Sequence, residues 1–242
     1  MKEKSKKGKL YLVSAGIGDL ENMTLRAHKI VTNADIVLAM EFVRKQYEQI
    51  LVGKEVHDAG HGLFTNIEKG SGAYGDKDKI RSVVRGGVLE GKIVVVLDFG
   101  DPVLYGPQSG YLKEFADLNP EVVPGLSSFN AASAALGREI TGGYDRAVVI
   151  SEAMNSQEGD DRLEKLAATG STLVLLTMRM DIDKVVFQLK KHLPEDTPAA
   201  VVCSAGFKDK ERVLKTTLGS LAKCIRLEEP SWDYILYIGD FL

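Results

Sequence analysis

Short apolar runs alternate with segments of helical period along the whole chain. The first run, residues 9–14 (KLYLVS), stops at Gly16 and leads through GIGDLENM to Thr24, a predicted helix cap. A helix over 25–33 and a strand over 35–40 (DIVLAM) follow. Residues 93–97 form an unbroken, largely β-branched run, the pattern of a strand covered on both faces. A helix is predicted over 109–117 and a strand over 121–123. Ser127 or Ser128 then caps a small-residue helix, FNAASAAL, that ends near Gly137. The second half repeats the theme, with strands over 146–150, 172–176, 199–204, 213–217 and 234–238. Helices are predicted over 162–168 and 182–192, and a short helical turn over 218–221. Strand and helix alternate throughout, so the fold class is α/β.

Glycine, serine and asparagine cluster at residues 60–75, which read as one long loop. A boundary just after VVPG divides the chain into an N-terminal α/β domain with a parallel sheet, residues 1–125, and a C-terminal α/β domain, residues 126–242. The formal net charge of −3 argues against a nucleic-acid binder working by bulk electrostatics. The basic opening MKEKSKKGK reads as a solvated terminus, and Leu10–Val13 is too short for a membrane span or a signal-peptide core. Two cysteines, Cys203 and Cys224, suggest no disulfide framework and a reducing cytoplasm. His57 and His61 stand four apart, but Gly60 and Gly62 flank the second and nothing completes a ligand set, so no metal is expected.

Three glycine loops follow predicted strands: Gly16–Asp19, Gly100–Tyr105 and Gly125–Ser128. After parallel strands such loops gather at one sheet edge, where α/β proteins bind ligands. Gly16 and Gly18 lack the third glycine of a dinucleotide fingerprint, which weighs against a dinucleotide-dependent oxidoreductase. Pro102 stiffens the turn around Asp101. Asp101 is either a fixed negative group beside a bound cation or a turn-forming aspartate bonding its own backbone. Tyr105 is either a cleft wall or ordinary packing, and Asp19 either a helix cap or a ligand.

The segments LYLVSAGIGD, ENMTLRAHKIVTNADIVL, GDPVLYG, VVPGLSSFNAASAALG, TLVLLTM and DTPAAVVCSAG occur in the order and spacing of the tetrapyrrole methylase family, which this chain resembles from about residue 9 to 240. The resemblance implies a two-domain α/β enzyme, a homodimer, with a cofactor cleft between its domains. It implies S-adenosylmethionine as methyl donor, S-adenosylhomocysteine as product and a tetrapyrrole as substrate; from charge and run length, neither nucleic acid nor membrane is expected as a partner. Carried over residue by residue, it assigns cofactor contact to Gly16, Ile17, Gly18, Asp19, Gly100, Asp101, Val103, Leu104, Tyr105, Ser127, Ser128, Leu176, Thr177 and Ala205. Asp101 and Tyr105 are its candidate catalytic residues. Ile17 and Leu20 stand where most relatives carry proline, and Thr177-Met178 replaces a methionine-glycine pair.

The pattern Gly100–Tyr105, Ser109 and Tyr111-Leu112 is similar to that of precorrin-2 C20-methyltransferases and points to a precorrin intermediate of cobalamin biosynthesis. Arg26, Arg44, Lys45, His61 and Lys69 are candidates for the substrate's carboxylates. The alternatives are a family member with a different substrate, or a protein that binds S-adenosylmethionine without turnover.

Overall fold

The computed structural model describes residues 7–65, 74–141, 147–153, 160–177, 180–232 and 234–241. The chain divides into two compact units, Met1–Ser127 and Ser128–Leu242, so the division falls at the two serines rather than at Gly125.

The first unit contains β1 (Lys9–Ser14), α1 (Leu25–Thr32), β2 (Ile36–Ala39), α2 (Glu41–Gln46), β3 (Glu55–Asp58), α3 (Lys77–Leu89), β4 (Ile93–Asp98), α4 (Gly110–Glu114) and β5 (Glu121–Val123). Its five strands are ordered β3-β2-β4-β1-β5, and every pairing is parallel. Strand β4 sits at the centre, and alternation along it splits one apolar run between two cores. Val95 and Leu97 join Val13, Val37, Ala27 and Val43 on one face. Val94 and Val96 join Leu12, Leu38, Val84, Tyr111 and Phe115 on the other.

The second unit contains α5 (Ser128–Leu136), β6 (Val148–Glu152), α6 (Arg162–Ala167), β7 (Thr172–Leu176), α7 (Ile182–Leu189), β8 (Pro198–Cys203), β9 (Arg212–Thr217), α8 (Leu221–Glu228) and β10 (Tyr234–Ile238). The sheet order is β6-β7-β10-β8-β9. Strand β10 runs antiparallel between β7 and β8 and is buried from Ile235 to Ile238.

Most elements lie where the apolar pattern places them, with six departures. Helix α3 carries a stripe of Ile80, Val84 and Gly87 toward the sheet, but the Gly86-Gly87 pair and the loop composition before it mask the period. Gly87 is there for space, since a Cβ would stand 2.6 Å from Ile36 Cδ1. Strand β3 is half-polar and pairs with β2 alone at the sheet edge. Helix α2 spans less than two turns. The turn expected at 218–221 continues into α8. The helix expected over 109–117 is α4 followed by a 3₁₀ turn, Ala116–Leu118, closed by Asn119 at φ 50°. The strand expected at 146–150 runs over Val148–Glu152, and Arg146 lies outside the described residues.

Thr24 caps α1 as its sequence position predicts, its hydroxyl accepting from Ala27 N at 3.1 Å. Thr24→Ala removes that acceptor and should lower stability by about 1 kcal/mol, read from the shift in urea midpoint at unchanged slope.

Candidate active site

Three loops of the first unit leave the carboxyl ends of β4, β1 and β5, which are neighbours in the sheet. The first two touch directly. Gly100 N donates to Gly16 O at 2.7 Å and Ala15 N to Asp98 O at 2.7 Å. Ser14, buried at the end of β1, binds both loops: its Oγ donates to Gly100 O at 2.6 Å and accepts from Gly16 N at 3.0 Å. The third loop closes over this contact. A Cβ added at Gly125 would lie 2.1 Å from Ser14 Oγ, so the backbone approach requires glycine. Gly16 is required twice over, by its φ of 75° and by Asn22 O, which would stand 2.5 Å from a Cβ.

The carbonyls of the first loop are turned inward and occupied. Asn22 Nδ2 donates to Ile17 O at 2.9 Å, and Tyr47 Oη to Gly18 O at 3.0 Å. Gln46 Nε2 also donates to Gly18 O, at 3.3 Å. Burial, with Asp19's charge behind it, pushes the Tyr47 phenol far above its ordinary range, so it stays a donor. The N–H groups tell the opposite story. Those of Ile17, Gly18 and Asp101 find no acceptor among the described residues, although Ile17 and Gly18 are buried. Buried backbone N–H groups are rarely left unmatched, so the loop edge is built to receive an acceptor.

The second loop is stiffened by its own aspartate. Asp101 Oδ1 accepts from Val103 N at 2.9 Å and Leu104 N at 3.1 Å, the turn-forming role. Val103, Leu104 and Tyr105 are exposed apolar residues in a row. Tyr105 adopts φ 58°, a conformation that disfavours a bulky side chain and marks local strain. Asp98, just before this loop, is fully buried; burial, aided by Asp101's charge, pushes its carboxyl up to about 7.

The remaining candidates separate. Asp19 precedes a 3₁₀ turn, Leu20–Asn22, without capping it by its side chain. Ser127 is buried immediately before α5, and Ser128 is that helix's first residue. In the second unit, Thr177 Oγ1 donates to Tyr234 O at 2.6 Å, and Leu176 pairs with Ile235. There Ala205 follows Ser204, a second strained residue at φ 49°. Met178 lies outside the described residues.

Among the cations, Arg26 is paired with Glu121. Glu121 opens β5, at the sheet end opposite the loops. Lys45 pairs with Glu41 at 2.7 Å. His61 pairs through its backbone with Tyr74, and their rings stack. Lys69 lies outside the described residues. Arg44, half-buried on α2, has a buried Nε with no partner among the described residues. Tyr111 is buried with its hydroxyl donating to Ala59 O at 2.7 Å, so that part of the sequence pattern serves packing.

Sequence reading passed over Ser14, Asn22, Gln46, Tyr47 and Asp98. For Ser14 and Asp98 a signal exists: each is the polar residue that closes an otherwise apolar run, and the two are register partners. Among the described residues no three His, Cys, Asp or Glu side chains gather as a metal site, and no helix is long and apolar enough to cross a membrane.

The family model described as Tetrapyrrole (Corrin/Porphyrin) Methylases matches residues 9–222. The cobalt-precorrin-4 C(11)-methyltransferase of Methanocaldococcus jannaschii is 30% identical over 240 residues, covering 97% of this chain and 88% of the relative. The S-adenosyl-L-methionine-dependent uroporphyrinogen III methyltransferase of Methanosarcina barkeri is 29% identical, covering 96% and 91%. The crystal structure of a cobalt precorrin-4 methyltransferase superposes with a TM-score of 0.79 at 26% identity, covering 96% and 94%.

Proposed function

This chain belongs to the tetrapyrrole methylase family, and from that premise we propose that it methylates a ring carbon of a precorrin-type tetrapyrrole with S-adenosylmethionine as donor. The observation that carries the reading is the donor-lined edge of the first unit. There the N–H groups of Ile17, Gly18 and Asp101, unmatched among the described residues, lie on two loops held together by the bond from Gly100 N to Gly16 O. A flexible polar ligand is held there by backbone, and the residues present fit S-adenosylmethionine.

Bound S-adenosylmethionine supplies an electrophilic methyl group on its sulfonium. With it bound, a new C–C bond would form at the electron-rich ring carbon as the C–S bond broke, a ring proton and S-adenosylhomocysteine then leaving. The chain's own task is alignment, for which effective molarities are worth on the order of several kcal/mol. Gly16–Asp19 and Gly100–Tyr105 would hold the donor, with Asp101 shaping the second loop from within. Val103, Leu104 and Tyr105 offer apolar contact and exclude water. Arg44 meets a substrate carboxylate, since a half-buried guanidinium whose Nε has no acceptor among the described residues favours an anionic partner.

The protein works as a cytoplasmic homodimer in this reading. The free thiols of Cys203 and Cys224 suit a reducing compartment, and light scattering reads the assembly.

The deciding experiment is turnover with methyl-labelled donor against uroporphyrinogen III and a series of precorrins, with and without cobalt, read by product mass. A single product heavier by one methyl group is expected, with micromolar binding of S-adenosylhomocysteine and no response to NADH. Arg44→Ala should raise KM for the tetrapyrrole about tenfold while leaving S-adenosylhomocysteine binding unchanged, the loss of one charge-assisted contact. Donor binding without any methylated product would favour the non-catalytic alternative.

A further inference from the structure

The loop that follows β3 leaves the same sheet end as the glycine loops, because every pairing in the first sheet is parallel. Two of its residues meet as a stem. His61 N donates to Tyr74 O at 3.0 Å and Tyr74 N to His61 O at 3.1 Å. Their rings stack with centroids 6.1 Å apart, and Tyr74 is exposed. The stem thus offers a flat, partly polar surface at the end of the sheet where α/β proteins bind ligands.

The segment after the Gly100–Tyr105 loop holds this stem. Gln108 is fully buried, and its Nε2 donates to Gly60 O at 2.7 Å, next to His61 in the chain. Tyr111 Oη donates to Ala59 O at 2.7 Å. Between them Gly110 packs so closely that a Cβ would stand 2.3 Å from Phe64 C. Phe64 in turn meets Tyr111 edge-on, with ring centroids 4.9 Å apart. Gln108 is also fastened to the strand that launches the glycine loop, but by its backbone: its N donates to Asp98 Oδ2 at 3.1 Å. One residue therefore faces two ways, its backbone toward β4 and its side chain toward the loop after β3.

Gln108 Oε1 is buried with no partner among the described residues. An unmatched buried acceptor costs stability, so this amide is a poor choice for packing alone. What the side chain supplies is the bond from Nε2.

We propose that Gln108 is a positioning residue, which seats the His61–Tyr74 stem at a fixed place relative to the Gly100–Tyr105 loop so that the stem bears on the tetrapyrrole. The seating is a property of the chain itself. Its consequence for the substrate rests on the methyltransferase reading.

Gln108→Met tests it, because the side chain keeps its length and loses its donor. Gly60 O, on a buried residue, then replaces Oε1 as the unmatched acceptor, so the urea midpoint should stay near that of the wild type. The stem should shift to return that carbonyl to water. In the ligand-free variant, hydrogen exchange at the His61 and Tyr74 amides should be about fivefold faster or more. The amides of Ala15 and Gly100 should exchange as before, since the backbone bond to Asp98 remains. KM for the tetrapyrrole should rise about fivefold, as fewer molecules hold the stem seated, with kcat and S-adenosylhomocysteine affinity changed by less than about twofold. Thr24→Ala serves as the control: it lowers stability and should move neither stem exchange nor KM.

Unchanged exchange at the stem overturns the proposal. Faster exchange with an unchanged KM rejects the positioning role, and so does a loss of S-adenosylhomocysteine affinity equal to the rise in KM. A wild type that methylates no tetrapyrrole defeats the functional reading; stem exchange, with donor-side amides unchanged, then decides the seating by itself. If Gln108→Met does not fold, Tyr111→Phe removes the neighbouring bond to Ala59 O and is read by the same measurements.

Discussion

Gly125→Ala should abolish most methyl transfer and remove about 3–5 kcal/mol of stability, the sum of an overpacking cost and two lost buried hydrogen bonds. The new methyl group would lie 2.1 Å from Ser14 Oγ and 2.6 Å from Ser14 Cβ. Ser14 has nowhere to retreat, being fully buried at the end of β1. Its hydroxyl must leave Gly100 O and Gly16 N, the two groups through which it joins the glycine loops. A displacement of about 1 Å in residues that align reactants costs on the order of a hundredfold in rate. Denaturant unfolding and single-turnover kinetics check the two parts.

Two further variants isolate the cause. Adding Ser14→Gly removes both contacting atoms, after which the nearest neighbour of the new Cβ is Gly16 N at 3.7 Å. Gly125→Ala should then do no further harm beyond Ser14→Gly alone; a double variant as damaged as the sum would refute the steric account. Gly86→Ala, in α3 where a Cβ meets nothing within 4 Å, should instead stabilise by about 0.5–1 kcal/mol.

The second large effect is a dependence of stability on pH that runs against the common direction for carboxylates. Burial raises Asp98 from its ordinary 3.8 to about 7. Between those values the folded chain binds a proton that the unfolded chain has lost. Asp98's contribution is therefore fully present below about pH 4 and is lost as pH rises through about 7. The slope is about 1.4 kcal/mol per pH unit, so the whole window is worth about 4 kcal/mol, an upper figure for a site that relaxes. Other carboxylates act oppositely, such as Glu114 and Asp117, which Arg81 and Arg85 hold below the usual range. The difference between wild type and Asp98→Asn cancels them. Unfolding midpoints from pH 4.5 to 8 should show the variant gaining on the wild type by roughly that slope until about pH 7, then running parallel. A difference independent of pH would mean that Asp98 does not titrate in this range.

Much of the architecture was legible because it follows from local period. β7 and β10 lie at the residues their apolar runs mark, and Thr24 and the Ser127-Ser128 pair mark helix starts. Helix α3 was not legible, because two adjacent glycines weaken its pattern and one of them serves the packing of Ile36. Nor was β3, whose half-exposed Glu55–Asp58 takes its strand character from β2. The candidate site divides in the same way. Gly16, Gly18 and Gly100 stand out as punctuation after strands, and their positive φ angles agree with the residue type.

Ser14 and Asp98 gain meaning only when β1 and β4 pair in register. That bond joins positions 86 residues apart, Ser14 and Gly100, and no local pattern encodes it. By itself the sequence determined an α/β chain with glycine loops at its strand ends, because hydrophobic period and glycine's conformational freedom are local properties. Tertiary structure alone decided that Ser14 joins two of those loops, that Gly125 must lack a side chain to cover it, and that Asp98 is buried beside groups that cannot neutralise it. Burial, register and electrostatic environment depend on what the fold brings near, which a residue's neighbours along the chain do not specify.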